Sequence, residues 1–148
     1  MSVCLSKGLG APVGSVLLGP KAFIEGGKRW RKMLGGGMRQ AGVIAAAAHY
    51  ALEHNVDRLA DDHRNAADLS AGLARIDALT VTTPQTNIFY VEIPEAACAP
   101  LREALARQRI RVSIGPHTRL VTHLDVTADD VQTIIAAFET FFRDWNPQ

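Results

Sequence analysis

The chain has 148 residues and 47% of them are hydrophobic, enough to bury the core of one ordinary domain, or of a domain remnant with a small second domain. Sixteen basic and fifteen acidic side chains leave a formal net charge of +1, so no overall field favours nucleic acid or an anionic membrane as a partner. No run approaches the roughly 18 consecutive apolar residues of a membrane-spanning helix. The two cysteines, Cys4 and Cys98, lie far apart among apolar neighbours, and we expect a reduced, soluble, cytoplasmic protein.

A lysine at the end of an apolar run is the first chemical feature of the chain. Residues 3–5 are typical of a short buried strand, and the glycines and proline that follow Lys7 prevent this strand from continuing. Residues 15–18 form a second apolar run, so we expect two adjacent strands joined by a glycine-rich connection. An amine held against apolar walls loses its charge more easily and then condenses with carbonyls. A solvated lysine in a surface turn is the alternative interpretation.

Two helices are predicted next. Residues 21–34 place apolar side chains at helical spacing with charges between them. The basic side chains around Trp30 could bind phosphate or nucleic acid, although a solvated helix face has the same pattern. A second helix is predicted over residues 38–53, and its residues 41–52 are apolar almost all round. Such a helix must be buried on several sides, which indicates a subunit interface or a missing domain. Its N-terminal end, next to Arg39, is typical of an anion site.

From residue 55 onwards the pattern alternates between helices and short strands. The expected elements share helical or alternating spacing of apolar residues and cover 56–76, 80–82, 87–93, 97–107, 111–114 and 119–124. Thr127 and Asp130 then form a capping box in front of an apolar stripe that predicts a last helix. This order predicts a small α/β sandwich with an antiparallel sheet and helices on one face.

The histidines do not have the spacing of a metal site. His49 and His54 are five residues apart, which is about 140° around a helix. The chain also contains no His-Glu-x-x-His pattern. We therefore predict no metal site.

Four separated segments resemble the threonine aldolases, which are fold-type-I pyridoxal-phosphate enzymes that cleave beta-hydroxy amino acids. They include Ser-Lys-Gly-Leu-Gly-Ala-Pro, Arg-Trp-Arg-Lys-Met-Leu-Gly-Gly-Gly-Met-Arg-Gln, Thr-Asn-Ile-Phe and Arg-Leu-Val-Thr-His-Leu-Asp, within residues 2–15, 29–40, 86–89 and 119–125. The resemblance implies that residues 1–54 are the C-terminal remnant of the cofactor-binding large domain and that residues 55–148 are the small C-terminal domain. Only six residues precede Lys7, whereas family members have a large stretch there, so we expect a fragment or a split gene.

The same resemblance implies a cofactor site around Lys7. This lysine would attach the aldehyde of pyridoxal 5'-phosphate and release it when the amino acid binds. Arg39, and more loosely Lys32, would lie near the cofactor phosphate or the substrate, across a subunit boundary in one arrangement. For Arg39 an exposed arginine at a helix end is the alternative interpretation.

A second set of residues is implied for the substrate. Arg119 would bind the alpha-carboxylate, because the planar guanidinium forms parallel hydrogen bonds with a carboxylate. A surface arginine paired with a nearby acid is the alternative. Ser6, Asn87 and His123 would support the site without contacting the reacting atoms, and we do not expect His123 to be the base.

The implied function is an aldehyde-lyase that converts threonine or allo-threonine to glycine and acetaldehyde, in a dimer or tetramer of identical subunits. The base and the groups that hold the cofactor ring are expected upstream of Lys7, so the isolated chain is expected to bind the cofactor weakly and to turn over little substrate. Two alternatives stay open. The chain could be a noncatalytic assembly module that uses its apolar helices, or another fold-type-I lyase that depends on a lysine.

Overall fold

The structure is a computed structural model that describes residues 1–146. The chain forms two compact units, unit 1 (Met1–Leu59) and unit 2 (Ala60–Gln148). Unit 1 contains two strands followed by two helices, β1 (Ser2–Cys4), β2 (Ser15–Leu17), α1 (Lys21–Met33) and α2 (Gly42–His54). Among the described residues, no helix is both long and apolar enough to cross a bilayer.

The strands β1 and β2 pair antiparallel, with Val3 opposite Val16. The pairing confirms the predicted pair of adjacent strands. Beyond the ladder, the Leu5 N–H donates to the Gly14 carbonyl at 3.0 Å, and Leu5 packs in a small core that includes Ala51 of α2. Gly14 has a φ of +120°, a backbone conformation that residues other than glycine rarely adopt.

Helix α1 confirms the prediction over residues 21–34 and ends in a Schellman motif. Gly35 has a φ of +86°, and its N–H donates to the Lys32 carbonyl at 3.2 Å while the Gly36 N–H donates to the Arg31 carbonyl at 2.8 Å. None of the described residues of α1 is buried. The helix is therefore defined by its own pattern and cap rather than by packing within unit 1.

Helix α2 starts later than predicted. It begins at Gly42 rather than near residue 38, and Ala41 at its N-cap makes no side-chain hydrogen bond to the helix. Because residues 38–41 include no Ser, Thr, Asp or Asn, nothing in the sequence fixes an earlier start. Within this chain Ala51 is its buried residue and Val43 is 82% exposed. Burial of the other faces by a subunit interface or another domain stays a prediction.

The described residues of unit 2 form three helices and a three-stranded antiparallel sheet in the order β3-β4-β5. In chain order its elements are α3 (Leu59–Leu73), β3 (Thr80–Val81), β4 (Ile88–Glu92), α4 (Glu95–Arg107), β5 (His117–Val121) and α5 (Ala128–Asp144). Phe89 and Val91 of β4 point into a core formed with apolar side chains of all three helices, including Leu73, Leu101 and Phe138. The predicted sandwich, with an antiparallel sheet and helices on one face, is confirmed.

The prediction of a strand at residues 111–114 is wrong, because this part of the described chain forms no ladder. At the end of the segment, backbone groups have side-chain partners instead. The Arg102 guanidinium donates to the Ile114 carbonyl at 2.6 Å, and the Gly115 N–H donates to the Thr118 hydroxyl at 2.9 Å. Ile114 is nevertheless buried, which accounts for the strand-like alternation of the sequence.

The capping box at the start of α5 is confirmed. The Asp130 N–H donates to the Thr127 hydroxyl at 3.1 Å, and the Thr127 N–H donates to the Asp130 carboxylate at 2.9 Å. Hydrogen bonds from the side chain of Thr127, and then from its backbone N–H, hold the pKa of Asp130 below its ordinary value of 3.8. The charged carboxylate is therefore the form that stabilises this helix end.

Thr127→Ala is expected to lower the free energy of unfolding by about 1 kcal/mol, because the N-cap bond is lost.

Asp130→Asn is expected to destabilise the protein at neutral pH. Since the pKa of Asp130 is lower in the folded state than 3.8, its contribution is present above that pH and is lost as the pH falls through the folded value. Urea denaturation at pH 7 and pH 3 measures both effects. Asp129→Asn is the control, because it keeps the capping box. An equal loss of stability in Asp129→Asn and Asp130→Asn would contradict the role assigned to Asp130.

Candidate functional site

Lys7 lies in the connection between β1 and β2, two residues after the buried Leu5. The connection is folded by its own backbone: the Gly10 N–H donates to the Lys7 carbonyl at 2.8 Å, and the Ala11 N–H donates to the Leu5 carbonyl at 3.1 Å. The Lys7 side chain is exposed. Unit 1 alone therefore does not supply the apolar walls that the sequence led us to expect around this amine.

Two side chains from the end of α2 and the following segment hold the Lys7 connection in place. Asn55 donates through Nδ2 to the Leu9 carbonyl at 2.8 Å, and Arg58 donates through Nη1 to the Gly8 carbonyl at 3.4 Å. These carbonyls belong to the residues directly after Lys7. Sequence reasoning missed both residues, although an asparagine that ends a helix is a recognisable signal.

Ser6 lies beside the thiol of Cys4, with its Oγ 3.5 Å from Sγ. Hydrogen bonds with the side chain of Ser6, and then with that of Ser15, lower the pKa of Cys4 from its ordinary value of 9.0. Burial instead raises the pKa of Cys98. The described contact of the Ser6 side chain is therefore to a thiol, and its support of Lys7 stays a prediction.

Cys4 is expected to react with iodoacetamide faster than Cys98 between pH 7 and pH 8, because more of it is thiolate and it is less buried. Ser6→Ala is expected to move the pH midpoint of Cys4 alkylation upwards, towards 9.0. Ser2→Ala, also in β1, is the control and should leave the midpoint unchanged. Mass spectrometry of the alkylated peptides measures both rates, and an unchanged midpoint in Ser6→Ala would contradict the assigned cause.

Lys32 and Arg39 both belong to the region where α1 leads into α2. The Lys32 side chain folds over Gly37, where an added Cβ would lie 2.7 Å from Cδ and 2.8 Å from Nζ. Arg39 follows two residues later, in a bend before α2, and both cations are exposed. The glycine thus leaves room for an ammonium group close to the backbone of a connection that carries a second cation.

The remaining predicted residues lie in unit 2. Arg119 is exposed on β5, directly opposite Tyr90 of β4. Asn87 donates through Nδ2 to the Thr122 carbonyl at 2.7 Å and accepts the Thr122 N–H at its own carbonyl at 3.0 Å. Asn87 therefore fastens the two strands together where the β4–β5 ladder ends.

His123 does not extend the row of side chains that contains Arg119. The strand ends at Val121 rather than at residue 124, and the ring of His123 faces Asp125. Its Nδ1 lies 3.7 Å from the Asp125 carboxylate and accepts the Asp125 N–H at 3.3 Å. The element predicted over residues 119–124 is therefore shorter than expected, and the supporting role of His123 stays a prediction.

Another interaction near Arg119 was missed from the sequence. His117 contacts the carboxylate of Glu92 through Nδ1, and the rings of His117 and Tyr90 stack with centroids 4.8 Å apart and planes at 18°. Residues 92 and 117 are 25 positions apart, so only the strand register could have identified this contact. Within residues 1–146, no group of three or more metal-binding side chains is arranged around a metal site.

Residues 1–96 match the sequence profile of the beta-eliminating lyase family, and the chain belongs to this family. The matched residues include Lys7, Lys32, Arg39 and Asn87.

The chain is also similar to individual proteins that are named threonine aldolases. The chain is 44% identical over 140 residues to the low specificity L-threonine aldolase of Escherichia coli strain K12, across 95% of this chain and 42% of the relative. It is 40% identical over 146 residues to the low-specificity L-threonine aldolase 1 of Arabidopsis thaliana, across 94% of this chain and 41% of the relative. The resemblance seen in the sequence is confirmed, and the chain spans less than half the length of these relatives.

Solved structures show the fold. The 8-amino-7-oxononanoate synthase of Francisella tularensis superposes with a TM-score of 0.74 at 20% identity, over 97% of this chain and 44% of that protein. The serine palmitoyltransferase of Sphingomonas wittichii gives a TM-score of 0.70 at 22% identity, over 96% of this chain and 39% of that protein. The expected fold-type-I architecture is thereby confirmed.

Proposed function

We propose that this chain is the C-terminal portion of a pyridoxal-phosphate-dependent threonine aldolase that cleaves L-threonine or L-allo-threonine to glycine and acetaldehyde. The observation that carries the proposal is the position of Lys7. It presents a primary amine from a connection that its own backbone and Asn55 hold in place, within a chain whose relatives are named threonine aldolases.

The residues present fit this cofactor. Pyridoxal phosphate carries an aldehyde and a phosphate, and Lys7 offers an exposed amine for the first group. The connection with Lys32 and Arg39 offers two exposed cations for the second, and Gly37 leaves the space that Lys32 occupies. Ammonium and guanidinium groups are the usual partners of phosphate in proteins. Lys7 would thus hold the aldehyde, and Lys32 and Arg39 the phosphate.

Each residue of the chain has a separate task in this proposal. When bound, the cofactor supplies an electron sink for the bond cleavage between Cα and Cβ. Lys7 would hold the cofactor through its side-chain amine. Arg119 binds the alpha-carboxylate through its planar fork of donors and so orients the substrate. Asn87 holds together the ends of β4 and β5, the strand that carries Arg119.

We further propose that the isolated chain binds the cofactor weakly and lacks appreciable turnover. The exposure of Lys7 supports this, because nothing in unit 1 covers a cofactor ring attached there. In the proposal, residues 1–54 belong to the cofactor domain and residues 55–148 form the small domain. Exposed apolar side chains on α2, such as Val43 and Tyr50, support assembly into a homo-oligomer. The two free thiols support a cytoplasmic location.

The activity is tested in a chimera. The matching C-terminal part of the E. coli low specificity L-threonine aldolase, 42% of that enzyme, is replaced by this chain. The chimera is expected to release glycine and acetaldehyde from threonine. A chimera that folds and retains the cofactor but cleaves neither threonine nor allo-threonine would contradict the proposal. Efficient cleavage by the isolated chain would contradict the claim that it is incomplete.

A further inference from the structure

The exposed face of the β4–β5 ladder carries a group of four polar or aromatic side chains. Arg119 lies opposite Tyr90, and His117 lies opposite Glu92. All four side chains point away from the core, since the residues between them, such as Val91, are buried. The positions of these groups are therefore set by strand register rather than by loop conformation.

The register also brings these side chains close together. The Ile93 N–H donates to the Pro116 carbonyl at 2.9 Å. Ile93 and Pro116 therefore form a hydrogen-bonded pair, next to the pair of Glu92 and His117. Hydrogen-bonded and non-hydrogen-bonded pairs alternate along an antiparallel ladder. Both pairs of the exposed group are thus of the non-hydrogen-bonded kind, in which opposite side chains approach most closely.

Glu92 has two basic neighbours on this face. His117 is directly opposite, and Arg119 is its diagonal neighbour, within reach of a long side chain. In the structure the Glu92 carboxylate contacts Nδ1 of His117, and the ring of Tyr90 stacks on the imidazole. Among the described residues, the Arg119 side chain has no ion-pair partner.

We infer that His117 is a positioning residue that holds Glu92 away from Arg119 and so leaves the guanidinium available to an incoming carboxylate. The identity of that carboxylate, the alpha-carboxylate of the substrate, rests on the proposed function. The physical reason is competition. An acid that pairs with Arg119 within the protein must be displaced before a ligand carboxylate can bind. Tyr90 contributes by confining the imidazole from one side.

The substitution His117→Phe isolates this role. It keeps an aromatic ring for Tyr90 to stack on and removes the nitrogen that holds Glu92. Glu92 is then expected to pair with Arg119. Because exposed ion pairs are worth up to about 1 kcal/mol, carboxylate binding at Arg119 should weaken by about threefold to fivefold. The double variant His117→Phe/Glu92→Gln should restore the affinity, because the competing charge is gone. Glu92→Gln alone should change little.

The test follows the side-chain Nε–H resonance of Arg119 in the full isotope-labelled chain, assigned by its loss in Arg119→Lys. Acetate is the probe, titrated at pH 7 into the unsubstituted chain and the three Glu92 and His117 variants. We expect the resonance of His117→Phe to differ before acetate is added and to return when Glu92→Gln is included. Both side chains are exposed, so folding should not be affected.

Two outcomes separate this inference from the proposed function. If the Arg119 resonance and its acetate affinity are unchanged in His117→Phe, the positioning role is overturned. If acetate fails to shift Arg119 in any variant, but His117→Phe still changes the resonance and Glu92→Gln reverses it, the positioning role is upheld. In that case the assignment of Arg119 to carboxylate binding fails instead.

Discussion

Lys7→Ala is expected to reduce threonine cleavage by the chimera with the E. coli enzyme to the background rate. The side chain of alanine offers no amine to the cofactor aldehyde, and the chemistry of the proposed reaction requires covalent attachment. The effect should appear in kcat rather than KM, because the reaction rather than substrate binding is lost. Release of acetaldehyde, coupled to its reduction by an added dehydrogenase, measures the rate.

Two further lysine variants control this result. Lys7→Arg keeps the positive charge but cannot condense with an aldehyde in the same way, so it is also expected to be inactive. Lys21→Ala removes an exposed lysine at the start of α1 and should leave the rate unchanged. An active Lys7→Arg chimera would mean that this position supplies a charge, and the role assigned to Lys7 would be wrong.

Phe138→Ala is expected to lower the free energy of unfolding by about 3 to 5 kcal/mol, the largest stability effect we predict. Phe138 is 1% exposed and belongs to the core between the sheet and the helices of unit 2. Removing its ring leaves a cavity that the surrounding side chains fill only in part. Urea denaturation followed by circular dichroism gives the change in free energy from the shift of the midpoint.

The matched control is Phe23→Ala on α1, where the ring is 53% exposed. Its effect should stay within about 0.5 kcal/mol, as for surface substitutions in general. If both phenylalanine variants lose the same stability, or if Phe138→Ala loses less than Phe23→Ala, the packing described for α5 would be incorrect.

Local sequence signals predicted the elements that depend on local interactions. The cap at Thr127 and Asp130 and the apolar stripe behind it fixed the last helix, because both its start and its buried face are encoded within one segment. The same holds for β1 and β2, where glycines end one apolar run and introduce the next. Helix α1 likewise needs no buried contact to be recognised.

Contacts between distant residues could not be predicted in this way. The hydrogen bonds that hold the segment after Lys7 join Asn55 to Leu9 across 46 positions and Arg58 to Gly8 across 50. The Ile114 carbonyl accepts a hydrogen bond from Arg102, whereas alternation alone had predicted a strand ladder at residues 111–114. The end of β5 was predicted wrongly for a related reason, since alternation gives the face of a side chain but not the residue at which the strand ends.

The candidate site was predicted by resemblance more than by physical pattern. Composition and spacing indicated a reactive lysine near a turn, but they led us to expect apolar walls that unit 1 does not provide. The roles of Arg39, Lys32 and Arg119 came from matching segments, and they stay predictions. What the structure adds is the support around these residues: Gly37 under Lys32 and the group of side chains beside Arg119.

The most direct test of the account is the site at which the cofactor attaches. The chain is incubated with excess pyridoxal phosphate, reduced with borohydride and mapped by peptide mass spectrometry. The two lysines outside the proposed cofactor site, Lys21 and Lys28, are exposed and serve as internal controls. We predict that Lys7 carries most of the label and that Lys7→Arg removes that label without increasing the others. An unlabelled Lys7, or equal labelling of all the lysines, would contradict the claim that Lys7 is the attachment site.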